Sequence, residues 1–248
     1  MNKRNIIIKS LEKGLKDNPN VLAMWLEGSD VHGRIDQYSD MDIWFSVKDG
    51  KEEQIFHKIR QILGNISPLD LEYKVNDDPV LKVKQRFFHL KNTSEFLIID
   101  ISIRSASRKW WFTKGHEDEK AKIVFDKGKV IQYKSSTKQI NNLKKRINEL
   151  EDFVKIFSIW IKKEIKRKNF LEAFDNYEKY VLHPLMELLR LRFSPTKSEY
   201  YLTKISKDIP KKYLKEIEQL YKVSSINDIE KNMVKAQKLF YSVLRRVK

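Results

Sequence analysis

The chain has 248 residues, and its 50 Lys and Arg against 34 Asp and Glu give a formal net charge of +16. The absence of Cys excludes disulfide scaffolds and thiolate metal sites, and a hydrophobic content of 41% with 5 Trp, 10 Tyr and 13 Phe excludes a charge-dominated disordered chain. No apolar run approaches the ~18–20 residues of a membrane span, and the basic start Met1-Asn-Lys-Arg-Asn-Ile-Ile-Ile-Lys lacks a signal-peptide core, so the expectation is a cytoplasmic protein.

Residues 1–136 read as mixed α/β. Ile7, Leu11 and Leu15 predict a helix over 6–16, broken by Asp17-Asn-Pro-Asn. Strands are predicted over Val21–Leu26 and 42–47. A second helix over 52–63 carries Ile55, Phe56, Ile59, Ile62 and Leu63, with Gly64 expected to end it. Further strands are predicted over 71–75, 86–90, 95–102 and 121–125, the last closed by the turn signal Asp-Lys-Gly.

The pattern changes near Tyr133. Ile140, Leu143, Ile147, Leu150, Val154, Phe157 and Ile161 form one long helical stripe. Phe170, Phe174, Tyr177, Val181 and Leu185 form a second, which Pro184 must kink or interrupt. Helices over 211–221 and 226–247 complete an all-helical part. The expected division is a domain over 1–134, a hinge at Ser135-Ser-Thr, and a helical-bundle domain over 135–248. The charge follows it: residues 1–136 hold 24 basic and 20 acidic side chains, residues 137–248 hold 26 and 14.

Chemistry concentrates in Trp25-Leu-Glu-Gly-Ser-Asp-Val-His-Gly-Arg-Ile-Asp-Gln-Tyr-Ser-Asp-Met-Asp-Ile-Trp-Phe. Alternate strand residues share a face, so Asp40 and Asp42 should point together. Paired carboxylates repel unless a cation lies between them, and hard oxygen ligands suit Mg²⁺. Gly28-Ser29 falls at a strand-to-helix turn, where a missing Cβ, free N–H groups and a hydroxyl would suit phosphate. Asp100 lies in the apolar run Phe-Leu-Ile-Ile-Asp-Ile-Ser-Ile-Arg and needs either a metal or a cation such as Arg104 or Arg86. Three carboxylates on neighbouring strands can hold the two metals used in phosphoryl chemistry.

Gly28-Ser29 and Gln37-Tyr-Ser-Asp-Met-Asp42 resemble the signature of polymerase-beta-type nucleotidyltransferases. Within these, Ile123-Val-Phe-Asp-Lys-Gly128 and Lys166-Arg-Lys-Asn-Phe-Leu-Glu-Ala-Phe-Asp175 resemble segments of the bacterial streptomycin adenylyltransferase and lincosamide nucleotidyltransferase groups. The resemblance covers most of the chain. It implies an α+β fold, a mixed-sheet nucleotidyltransferase domain followed by an all-α bundle.

The resemblance also implies Mg²⁺ on Asp40 and Asp42, with Asp100 as third ligand or general base. Asp175 would be a second candidate base, at the edge of its apolar stripe. Gly28, Ser29, Arg34 and Arg104 would contact the nucleotide. The implied reaction is Mg²⁺-dependent transfer of AMP from ATP to a hydroxyl of an aminoglycoside- or lincosamide-like acceptor, with release of pyrophosphate. Two ions would take part. The chain departs from the pattern at Asp30, where the family more often has a neutral or basic residue, and Glu27 adds another charge beside the triphosphate.

The basic balance supports a competing reading. Lys144-Lys-Arg146, Lys162-Lys163, Lys166-Arg-Lys168 and Lys211-Lys212 could track nucleic-acid phosphates, with Trp110, Trp111 and Phe112 stacking on bases. A catalytically degenerate nucleotide-binding module is a third. Acids of 170–190, Glu172, Asp175, Glu178 and Glu187, could line a pocket for a cationic acceptor.

Overall fold

The computed structural model of the chain describes residues 3–77, 80–116, 118–135 and 143–247. It comprises two compact units, Met1–Thr137 and Lys138–Lys248. The expected hinge overlaps positions 136 and 137, and the first residue of the long stripe is Ile140; these three lie outside the described residues.

The first unit is built on a six-stranded mixed sheet of order β3-β4-β5-β2-β1-β7. Its strands are β1 (Val21–Leu26), β2 (Met41–Val47), β3 (Leu69–Lys74), β4 (Val83–Leu90), β5 (Ile99–Ser105) and β7 (Lys122–Asp126). Only β2 and β5 pair in parallel; the other neighbours are antiparallel. Short segments β6 (Phe112–Thr113) and β8 (Tyr133–Lys134) pair separately.

Strict alternation divides the two faces. Met41, Ile43, Phe45 and Val47 of β2 and Ile99, Ile101 and Ile103 of β5 share one core with Ile7, Leu11 and Leu15 of helix α1 (Lys3–Leu15) and Ile55, Phe56, Ile59 and Leu63 of helix α3 (Glu52–Ile66). The intervening residues, Asp42, Trp44 and Ser46 on β2 and Asp100, Ser102 and Arg104 on β5, are thereby assigned to the opposite face. There Ala23, Trp25 and Phe112 form a smaller cluster with Trp44 and Trp110.

Several predicted boundaries move, two of them for reasons visible in the backbone hydrogen bonds. Helix α3 runs through Gly64 to Ile66, because the helix closes with the Ser67 amide donating to Leu63. Strand β5 begins four residues later than the apolar run suggests, because Leu97 closes a turn onto Ser94. Of the aromatics offered for base stacking, Phe112 is 1% exposed and Trp110 packs on Trp25 and Phe112. Apolar burial claims these rings, and Trp111 alone of the three is exposed.

The second unit is helical. Helix α4 (Leu143–Arg167) buries Ile147, Leu150, Val154 and Ile161 along the predicted stripe. The second stripe is interrupted, as one of the two expected outcomes at Pro184. It is α5 (Phe170–Tyr177), a π-helical turn (Glu178–Leu182) and α6 (His183–Phe193). Pro184 cannot donate to the carbonyl four residues before it, and the bond from His183 N–H to Glu178 shows the turn widening to absorb that loss. Arg190 is fully buried on α6, donating to the carbonyls of Tyr201 and Thr203 and to Asp208 at 2.7, 2.6 and 2.9 Å. Helices α7 (Ile205–Asp208), α8 (Lys211–Leu220) and α9 (Ile226–Leu244) complete the unit. No helix among the described residues is long and apolar enough to cross a membrane.

Candidate active site

Strand register builds the site. Asp42 on β2 and Asp100 on β5 are direct partners across the parallel pair, both on the face away from α1 and α3. Neighbouring strands lie about 4.8 Å apart, so the two carboxylates leave the sheet side by side. Glu27, which follows β1, donates its amide to the Asp42 carbonyl at 3.0 Å and extends the row. Asp40 is exposed and immediately precedes β2.

The electrostatics are those of crowded acid groups. Burial pushes the Asp100 carboxyl up to about 6, and the charges of Asp42 and Asp40 push in the same direction. The Gln85 amide opposes them, donating to both Asp100 oxygens at 2.9 and 2.7 Å. Burial likewise pushes Glu27 up to about 7, assisted by Asp42 and Glu119 and opposed by the Trp25 indole N–H, which donates to it at 2.8 Å, and by Arg104.

Neither expected arginine pairs with Asp100. Arg86 lies on the opposite face, over the Phe56 ring and bound to Glu53 and Glu72. Arg104 sits four residues along β5, about 13 Å at the strand rise. It is 3% exposed, with its guanidinium carbon 4.9 Å from the Trp110 ring centre and 5.4 Å from that of Trp25. Gln85 was not singled out by sequence; its place on β4 opposite Ser102, diagonal to Asp100, is visible only once the antiparallel register is known.

The Gly28-Ser29 turn lies against this row. Gly28 has φ 61° and ψ −135°, and a Cβ at that position would lie 1.9 Å from Asp42 Oδ2. The expected helix is a single turn, α2 (Ser29–His32). Ser29 Oγ is buried and has no hydrogen-bond partner among the described residues. Asp30, 8% exposed, forms an ion pair with Arg4 of α1 at 2.5 Å. Arg34 is exposed on the loop that follows.

The donor set fits a hard divalent cation by its chemistry: oxygen only, with no cation among the groups that shift Asp100. Among the described residues no three His, Asp or Glu side chains already converge as a metal-binding group. Asp42 and Asp100 form the in-register pair, and the charge of exposed Asp40 acts on Asp100.

Asp175 belongs to the second unit. It is exposed and bound to Lys179 at 2.8 Å, where partial burial was expected, because its place on α5 falls outside the buried positions Ala173 and Tyr177. Glu187 is held by Arg146 and Glu178 accepts from Tyr201, so these acids have partners inside the bundle.

The family model described as streptomycin adenylyltransferase matches residues 1–248. No curated protein matches the chain by sequence. Among solved structures, an aminoglycoside 6-adenyltransferase from Bacillus subtilis shares 15% identity over 100% of this chain and 90% of its own, with a TM-score of 0.41. A spectinomycin adenyltransferase from Enterococcus faecialis, crystallised with ATP and spectinomycin, shares 13% identity over 97% of this chain and 98% of its own, with a TM-score of 0.33. With the family model spanning the whole sequence, the chain belongs to the streptomycin adenylyltransferase family and is a nucleotidyltransferase.

Proposed function

We propose that the protein transfers AMP from ATP to a hydroxyl of an antibiotic-like acceptor of the aminoglycoside or lincosamide type, releasing pyrophosphate. The observation that carries the reading is the in-register pair Asp42 and Asp100 beside a buried Ser29 hydroxyl with no hydrogen-bond partner among the described residues. A group of that kind is costly unless a ligand satisfies it, and a phosphate oxygen accepts what a hydroxyl offers. The family description supports the adenylyl group and an aminoglycoside acceptor.

In this reading Asp40 and Asp42 would hold Mg²⁺, which when bound would supply charge neutralisation at the phosphates. Gly28 keeps the backbone close beneath Asp42, Ser29 donates to a phosphate oxygen, and Arg34 extends from the loop to the outer phosphates. Arg104, buried between Trp25 and Trp110, supports the sheet face. Asp100 takes the acceptor hydroxyl proton at its carboxylate, which burial makes a better proton acceptor than an ordinary exposed carboxylate. Gln85 fixes the orientation in which it does so.

The test is direct. The protein is incubated with Mg²⁺, each NTP and an antibiotic panel, with pyrophosphate and acceptor mass followed. ATP-specific release coupled to a monoadenylylated acceptor is expected, and Asp42→Asn should abolish it while melting as a folded protein. Full activity in Asp42→Asn, or no turnover with any NTP and acceptor, overturns the reading.

A further inference from the structure

We propose that Arg4 is a positioning residue for the carboxylate row, clamping both ends of the loop that joins Gly28 to Asp42. This rests on the reading of Asp40 and Asp42 as metal ligands. Arg4 stands in the second residue of α1 as described, yet it is 6% exposed. It continues the buried stripe Ile7, Leu11 and Leu15 by one further step, so the helix that packs under the sheet delivers a guanidinium to the loop.

Its contacts lie at two separate points of the chain. Nη2 donates to Asp30 Oδ2 at 2.5 Å, two residues after Gly28. The same nitrogen donates to the Asp40 carbonyl at 2.7 Å, and Nη1 donates to the Ser39 carbonyl at 2.7 Å. The start of the loop and the two residues that lead into β2 are therefore tied to one planar group. Between them the loop is folded on Asp36, whose carboxylate accepts from the Tyr38 amide and the Ser39 hydroxyl at 3.0 and 2.8 Å. With its carbonyl held by Arg4, Asp40 enters β2 in one backbone orientation while its side chain stays exposed within electrostatic range of Asp100.

The clamp also accounts for Asp30. Its carboxylate is committed to Arg4, not to a phosphate or a metal, so the departure from the family pattern carries its own counter-charge. Arginine suits the task because its fork reaches several acceptors in fixed directions, where a lysine offers one point of attachment.

The test uses the full chain and three variants, Arg4→Gln, Arg4→Lys and Asp30→Asn. Hydrogen exchange of the Asp36, Tyr38 and Ser39 amides in metal-free protein reads the loop. Titration with Mn²⁺ alone, without nucleotide, reads the carboxylates. Arg4→Gln should exchange at least tenfold faster at those amides with β5 unchanged, and should weaken Mn²⁺ binding at least tenfold. Arg4→Lys should recover part of both. Asp30→Asn, which leaves the two carbonyl contacts in place, should lower the melting temperature while keeping Mn²⁺ affinity within about threefold.

Loop exchange in Arg4→Gln equal to wild type overturns the clamp, as does Mn²⁺ affinity equal to wild type. Wild-type protein that binds no Mn²⁺ overturns the metal reading instead, and exchange then decides the clamp on its own. An Arg4→Gln protein that fails to fold leaves the decision to Arg4→Lys, for which unchanged exchange and affinity overturn the proposal.

Discussion

Gly28 lies directly beneath the carboxylate of Asp42, with room for a hydrogen but not for a methyl group: a Cβ there would meet Oδ2 at 1.9 Å. The positive φ of 61° with ψ −135° adds a second demand for glycine. Gly28→Ala should therefore displace Asp42 or the turn, lowering kcat at least about 100-fold. Backbone strain should cost about 1–3 kcal/mol in stability. Steady-state kinetics and thermal melting read the two effects, and unchanged kcat in a folded variant contradicts this account of the glycine.

The raised carboxyl of Glu27 predicts a pH-dependent liability. Its ordinary value of 4.5 moves to about 7 in the folded protein, chiefly through burial. Folding then favours the protonated form, so stability falls as pH rises from 4.5 to 7 and the full penalty is present above that window. Glu27→Gln keeps an acceptor for the Trp25 indole and removes the penalty. In metal-free protein it should stabilise at pH 8 by up to about 3 kcal/mol and have little effect at pH 4. Equal gains at both pH values would point to packing in place of charge.

Much of this arrangement was legible in the sequence, and its limits have physical causes. The period of two in a strand predicted a shared face for Asp40 and Asp42, but β2 begins at Met41, so Asp40 lies just before the strand and the in-register neighbour of Asp42 is Asp100. Partners across strands were not legible, since register depends on which residues meet. The cations that the sequence offers Asp100 as an alternative to a metal, Arg104 and Arg86, are therefore not its partners, while Gln85 is. Arg4 belongs to the basic start of the sequence, and only the packing of α1 reveals it as buried. Pro184 announced an interruption correctly, but a π-helical turn and a kink satisfy the same missing donor, and sequence alone does not choose between them.

Gln85 holds Asp100 by two hydrogen bonds that favour the ionised form. Gln85→Leu removes them and leaves burial and the neighbouring acids unopposed. The acid limb of the kcat profile should move to higher pH, and kcat at pH 7 should fall about tenfold with a smaller change in KM for ATP. A profile that keeps its acid limb in place would mean Asp100 does not set it.

Arg190 is the corresponding fixed point of the helical unit. Its guanidinium joins Asp208 and two carbonyls of the 201–203 segment while wholly buried. Arg190→Met leaves those acceptors without their donor and should cost about 3 kcal/mol or more, seen as a lower urea midpoint. A loss under about 1 kcal/mol would show that Lys197, which also binds Asp208 at 2.8 Å, suffices.

Asp175 supplies the cleanest separation of chemistry from stability. Its pair with Lys179 is a surface i,i+4 contact, with side chains 56% and 60% exposed, and such pairs contribute little to folding. Asp175→Asn should therefore leave the melting temperature within a degree or two of wild type. If Asp100 takes the acceptor proton, kcat should change less than about threefold and the acid limb of the pH profile should persist. A fall of 100-fold or more in a protein that melts normally, with the acid limb lost, transfers proton removal to Asp175. Stability being insensitive at this position, no folding defect can imitate that result.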